Sequence, residues 1–422
     1  MLAVIFALWC SKAQYGVVGL TAAVVSAAAF AAVCLRFVPV WVSTWRDGES
    51  ALPSVEAEPE HTCAHIFAAV LLWDIVIIIA VYILRRIFGS TDGFVQALGF
   101  WTCTDSGHYL DIARDWYLSE GSMDRLVQLV FLPGYPVVVR LLSVLTGDEL
   151  VDGLVVSALC FAGANVMLYK LALLDAGHAA ALRAVKFLCL SPAVFFFVAP
   201  MSESLFLLCT LGCFYLVRRG KMLPACLLGA YSAFTRSPGV IVIVPIVFEL
   251  VNRRARLRDY LSVLIIPLGF AAYCYINYLV SGDAFKFMEY QSEHWGQNLG
   301  WFFNTAAYQS ENAVYSFTVN RPNFFGLWLP NVLAQGISLV LMLFAVKKLR
   351  CSYTAYFLAY FIVTMGATWL LSAPRYLAAV FTVPIALAAV TQNRKTDAAV
   401  TAFCVLAGGA YLCEFVLRWQ VW

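Results

Sequence analysis

Between Tyr15 and Leu417 the chain returns again and again to apolar runs, most of them long enough to be a membrane-crossing helix. A span needs about 20 mostly apolar residues, and backbone that meets lipid has to satisfy its own hydrogen bonds, so such runs are expected to be helical. The segments begin with Tyr15–Val42 and His65–Ile87 and end with Tyr376–Thr391 and Ala398–Leu417. The 422 residues are 62% hydrophobic and 13% charged. A soluble domain of that composition would expose large apolar patches. No internal repeat with a clear period and no strand-like alternation interrupts the pattern. The expected fold class is therefore an all-α polytopic membrane protein.

A net charge of +3 gives no reason to expect a nucleic-acid partner. Most of the thirteen cysteines sit inside apolar runs, where they act as small hydrophobes. Cys63 and Cys103 flank one span, so no disulfide is expected between them. Gly16–Val42 is longer than the apolar part of a signal peptide and another span follows it, which argues against cleavage. No common zinc spacing is present. The residues prescribe no cofactor and leave a divalent metal open.

Three hydrophilic stretches interrupt the spans. Arg46–His61, with Asp47, Glu49, Glu56, Glu58 and Glu60, reads as a solvated linker. Residues 88–125 and 281–324 are rich in aromatic residues, which suits a membrane interface. They divide the chain into an N-terminal region (1–87), a first loop (88–125), a central membrane region (126–280), a second loop (281–324) and C-terminal helices (325–422). The basic clusters Arg253–Arg258 and Lys347–Arg350 are expected in the cytoplasm, which puts the second loop outside it. Leu126–Leu145 reads as a span. Counting spans between the two loops then places them on opposite sides, unless a half-helix within Leu182–Val251 restores the parity.

Several polar residues stand in costly places. From Ser106 onward the first loop suits an amphipathic interfacial helix, with Tyr109, Ile112, Ala113 and Trp116 on one face. Asp105 opens it, either as a cap or as a partly desolvated carboxylate poised as a general base. Glu203 lies between two apolar runs, where it caps a helix or faces a polar cavity. Arg236, in Thr235–Gly239, and Arg375, in Ser372–Tyr376, each need a partner. That partner is a phosphate or, if the side chain snorkels, the interface itself.

Taken in order, these segments resemble the PIG-V family, the second mannosyltransferases of glycosylphosphatidylinositol assembly and related bacterial membrane proteins. The resemblance rests on Asp105–Ala113, Phe131–Pro136, Ser191 through Phe206, Thr235–Gly239, Arg321–Phe324 and Ala373–Tyr376. It runs from about Gly99 to Pro384. Thr104 stands where the family has Trp, Pro238 stands where it has Asn, and the region through Ile87 is unlike it. The resemblance implies a polyprenyl-phosphate-sugar-dependent (GT-C type) fold with extracytoplasmic interfacial helices. It implies inverting transfer of a mannose-like hexose from a polyprenyl- or dolichyl-phosphate donor to a lipid or glycan acceptor. Asp105 would be the base, with His108, Tyr109, Glu203, Arg236, Arg321, Asn323 and Arg375 binding substrate. The motif spacing is closer to the bacterial members, which implies a plasma membrane, or the endoplasmic reticulum in a eukaryote. A transporter or flippase of lipid-linked sugars is the rival. It predicts inverted repeats, which the sequence does not display.

Overall fold

The computed structural model describes residues 2–48, 59–118 and 126–422. Glu49, Glu56 and Glu58 of the linker and residues 119–125 of the first loop lie outside the described residues. Among those described, six helices are long and apolar enough to cross a membrane. They are α2 (Val17–Asp47), α3 (Thr62–Ile87), α6 (Glu149–Cys189), α10 (Leu257–Ser281), α13 (Arg321–Lys348) and α17 (Arg394–Val416). The remaining named helices are α1 (Leu2–Cys10), α4 (Ser106–Asp115), α5 (Gly134–Thr146), α7 (Glu203–Arg218), α8 (Met222–Thr235), α9 (Ser237–Asn252), α11 (Lys286–Trp295), α12 (Phe302–Val319), α14 (Cys351–Met365), α15 (Ala373–Ala378) and α16 (Thr382–Val390). The protein is an integral, multi-pass membrane protein, and its thirteen cysteines are free thiols.

The bundle has two polar ends. At one, Arg218 donates to Asp175 at 2.8 Å, Arg350 reaches Glu249 at 2.6 Å, and Arg253 reaches Glu249 at 2.9 Å. These residues adjoin Lys347, Lys348 and the 254–258 arginines, the basic clusters expected on the cytoplasmic side. Asp105, Glu203, Arg236 and Arg375 gather at the other.

Helix α6 makes two passes. Gly177 has φ +71°, a region open to glycine, and the chain doubles back around it. Asn165 meets Cys189, Phe161 stacks on Phe197 at 4.7 Å, and Ser157 donates to the Ala199 carbonyl at 2.8 Å. Each pair is centred near residue 177.

Helix α5 corrects the expected topology. Its 13 residues rise about 20 Å, short of the ~30 Å apolar core. Both of its ends stay at the same end of the bundle. Gly134 packs against Thr235 so closely that no Cβ would fit, and Thr146 bonds Asp152 near the start of α6. Tyr135 reaches the Gly153 carbonyl at 2.8 Å, and Arg140 reaches the Ala113 carbonyl of α4 at 3.1 Å. Leu126–Leu145 therefore does not cross. The odd pass in the count is this helix and not one within Leu182–Val251, and the two aromatic loops lie at the same end of the bundle.

Candidate active site

The first loop is folded so that Asp105 is spared from capping. Ser106 ties the turn, accepting from the Cys103 amide and donating to the Trp101 carbonyl, each at 2.8 Å. Asp105 occupies the cap position of α4 without a side-chain capping bond. Its carboxylate accepts instead from Arg375 Nη2 at 2.7 Å.

Arg375 is aimed by its own loop. Residues 366–372 cross from α14 to α15 and are held by side chains of neighbouring helices. Thr305 bonds the Ala367 carbonyl at 3.0 Å, Gln309 the Leu370 carbonyl at 2.6 Å, and Asn331 the Leu371 carbonyl at 3.0 Å. Asn331 also accepts from the Ala373 amide at 2.6 Å. Pro374 then sits in the first turn of α15, which suits its missing N–H.

Arg236 is aimed by a break between α8 and α9. Its backbone is extended, at φ −148° and ψ 139°, and Pro238 starts the next turn. Gly239 packs against the Ser232 backbone with no space for a side chain. The guanidinium bonds Glu203 Oε1 and Ser202 Oγ, the latter at 3.2 Å. Ser202 Oγ in turn lies 2.9 Å from the Tyr109 hydroxyl. Burial pushes the Tyr109 phenol well above its usual pKa, so it stays a neutral hydroxyl.

Glu203 begins α7 with its side chain 2% exposed. The same Oε1 lies 3.2 Å from Arg375 Nε, so one acid bridges two arginines. The Tyr376 ring lies 5.0 Å from the Arg236 guanidinium and 5.8 Å from that of Arg375, within the range of a cation–π contact.

Above this cluster opens a cleft. Asp105, Tyr109, Arg236 and Arg375 line it, Tyr273 and Tyr376 flank them, and Phe131, Phe287, Trp295, Trp369 and Trp422 form aromatic walls. Gln291 and Gln297 of the second loop complete it. Both aromatic loops thus contribute to one cavity. A deep polar floor under aromatic walls can hold an anionic group below and an amphipathic sugar or lipid above.

The other sequence-derived residues fall elsewhere. Glu203 lies behind the arginines and does not line the cleft. His108 stacks on Phe131 at 4.6 Å, one layer back from it. Arg321 is exposed and Asn323 half-buried at the start of α13, where the Asn323 amide bonds the Asn320 side chain at 3.2 Å. Neither lines the cleft. Sequence reasoning did not single out Gln291, Trp295, Gln297, Trp369 or Trp422. The aromatic content of the second loop was the available signal for Trp295. Asn331 and Gln309 carried none, because an isolated amide in an apolar helix has no distinguishing spacing.

Residues 89–319 match the family model described as mannosyltransferase (PIG-V). Over 167 residues the chain is 31% identical to GPI alpha-1,6-mannosyltransferase 2 of Homo sapiens, a stretch covering 36% of this chain and 31% of that protein. The match thus spans under a third of that relative's length. Crystal structures of ArnT from Cupriavidus metallidurans also align. The one bound to undecaprenyl phosphate is 16% identical, with 86% of this chain and 76% of that one covered, at a TM-score of 0.49. The apo state is 13% identical, with 77% and 74% covered, at a TM-score of 0.48.

Proposed function

This chain belongs to the PIG-V mannosyltransferase family, and from that membership and its cleft we propose that it transfers a hexose, mannose in the first instance, from a polyprenyl-phosphate donor to a hydroxyl of a lipid or glycan acceptor. One observation carries the reading. A carboxylate, Asp105, and two guanidiniums, Arg236 and Arg375, line a single cleft at the end of a membrane bundle opposite the Arg253–Arg258 cluster. A lipid-linked donor has to be approached from the bilayer, and a leaving phosphate has to have its charge met.

In this mechanism the donor's phosphate lies against Arg375 and Arg236. Asp105 takes the proton of the acceptor hydroxyl as that oxygen attacks the anomeric carbon. The bond from the anomeric carbon to the phosphate oxygen breaks, and the polyprenyl phosphate leaves with the electron pair. Asp105 is the one carboxylate among the described residues that lines the cleft, and Glu203 is pinned behind the arginines. A single base and no carboxylate nucleophile gives inversion. Trp295, Trp369 and Trp422 offer ring faces to sugar and isoprenoid, and Gln291 and Gln297 offer amides to sugar hydroxyls.

The motif spacing supports a bacterial plasma membrane with the cleft on its outer face, and the endoplasmic reticulum would take that place in a eukaryotic cell. In a bacterium there is no glycosylphosphatidylinositol anchor to build, so the acceptor is another glycan or a lipid. The test is incubation of the purified chain with radiolabelled polyprenyl-phosphate mannose and a panel of such acceptors. Label should pass to an acceptor and fail to do so in Asp105→Asn. A donor left intact with every acceptor class would overturn the proposal.

A further inference from the structure

We infer that Glu203 is a positioning residue that sets the charge of the arginine pair, so that the cleft takes a lipid carrying one phosphate in preference to one carrying two. The inference rests on the phosphate cradle proposed above and assigns its charge selectivity to a residue outside the cleft lining.

Arg236 and Arg375 bring two positive charges, with side chains 8% and 7% exposed. Guanidiniums do not deprotonate in proteins. Two acids face them, and the two are held differently. Glu203 is 2% exposed, is the first residue of a 16-residue helix, and uses one oxygen to contact both guanidiniums. It has no room to leave. Its other oxygen, Oε2, has no hydrogen-bond partner, so its place is set by the arginines and by the start of α7. A helix N-terminus also favours the negative charge there. Asp105 is 28% exposed, sits in the turn before α4 and contacts Arg375 alone. It can be displaced by another anion, and Glu203 cannot.

One fixed carboxylate therefore cancels one of the two guanidiniums for good. What remains is a single positive charge, met by Asp105 in the free protein and by the donor when it binds. A phosphodiester carries one negative charge and fits that vacancy. A diphosphate diester carries two, and the second would be left uncompensated in a site of low dielectric, where an unpaired charge is costly. Glu203 thus acts as a counter-charge that tells one phosphate from two.

The test uses the full chain, purified in detergent, and two probes that cannot donate a sugar: farnesyl methyl phosphate and farnesyl methyl diphosphate. Binding of each is measured by calorimetry. Wild type is expected to favour the monophosphate by about tenfold or more. Glu203→Gln should shift the ratio toward the diphosphate by a similar factor, because it removes the charge and keeps the shape. Glu203→Asp keeps the charge and should keep the preference, and it stands as the second variant if the Gln form does not fold. Equal loss of both probes in Glu203→Gln would reduce Glu203 to a structural residue, and a reversed preference in Glu203→Asp would overturn the charge argument. If wild type binds neither probe, the phosphate cradle itself falls. If it transfers mannose but does not discriminate, only the role of Glu203 falls.

Discussion

Asp105 and Arg375, 270 residues apart in the chain, meet at 2.7 Å on the floor of the cleft. The pairing ties the residue proposed as base to a residue proposed to hold the leaving phosphate. While Arg375 Nη2 occupies a carboxylate oxygen, that oxygen is engaged and not open to an acceptor hydroxyl. A donor phosphate that takes over Arg375 would release Asp105 for the acceptor, so the order of events is written into the ion pair.

Asp105→Asn separates the two roles. Transfer should fall by ~10²-fold or more, the range for loss of a general base. Affinity for a polyprenyl phosphate should rise at the same time, because the competing intramolecular anion is gone. A gain of about tenfold, or ~1.4 kcal/mol, is the expected size. Turnover and lipid-phosphate binding measured on the same preparation check it. Near-normal turnover would return Asp105 to a structural role, and weaker binding would mean that it helps to hold the donor.

Arg375 distinguishes a planar contact from a mere charge. Its side chain is 7% exposed and reaches Asp105 and Glu203 through different nitrogens. Lys gathers its three donors on one atom and lacks the planar fork that meets the two acids from separate nitrogens, so for Arg375→Lys donor KM should rise and kcat fall by about tenfold. Arg375→Ala should lose more. An arginine that only anchored its helix at headgroups would tolerate Lys. Wild-type kinetics for the Lys variant would end the phosphate role.

The shared cleft also predicts topology. Single cysteines placed at Ser90 in the first loop and Ser292 in the second, in a background without the native thiols, should both react with an impermeant reagent applied to the non-cytoplasmic face. A cysteine at Arg256 should not. Labelling of Ser90Cys and Ser292Cys from opposite faces would dismantle the site.

The helices and the charged residues that gather at the cleft were legible in the sequence because both follow from cost. Long apolar runs have few alternatives to helix, and Asp105, Glu203, Arg236 and Arg375 were conspicuous as charges in apolar surroundings. Their mutual pairing was not legible, because each acid could equally have met water or a cap. Helix α5 was misread for a related reason. Leu126–Leu145 has the same composition whether it crosses or returns, and the contact of Gly134 with Thr235, 101 positions on, decides between them. The amides that hold residues 366–372, Gln309 and Asn331, leave no periodic trace. Arg321 and Asn323 were marked by motif alone, and the structure puts them outside the cleft lining.

The end of the bundle opposite the cleft offers a control in which stability and chemistry should part. Glu249 has a fully buried side chain and contacts three arginines, Arg218 at 3.4 Å, Arg253 at 2.9 Å and Arg350 at 2.6 Å. These come from α7, the loop after α9 and the turn before α14, so the acid ties together elements whose other ends build the cleft. Breaking a buried ion cluster by removing one partner leaves uncompensated charge and typically costs ~3–5 kcal/mol. Glu249→Gln should therefore lower the unfolding temperature of the detergent-solubilised protein clearly. It removes negative charge from three guanidiniums, of which Arg218 and Arg350 also face Asp175. Donor KM, assayed well below that temperature, should stay within about twofold, because sites that share no partners couple weakly. Glu249→Asp, which keeps the charge on a shorter side chain, should recover part of the lost stability. A Gln variant with wild-type unfolding would show the cluster to be solvated and of little structural weight. One with an altered donor KM at full stability would mean that the two ends of the bundle are energetically coupled.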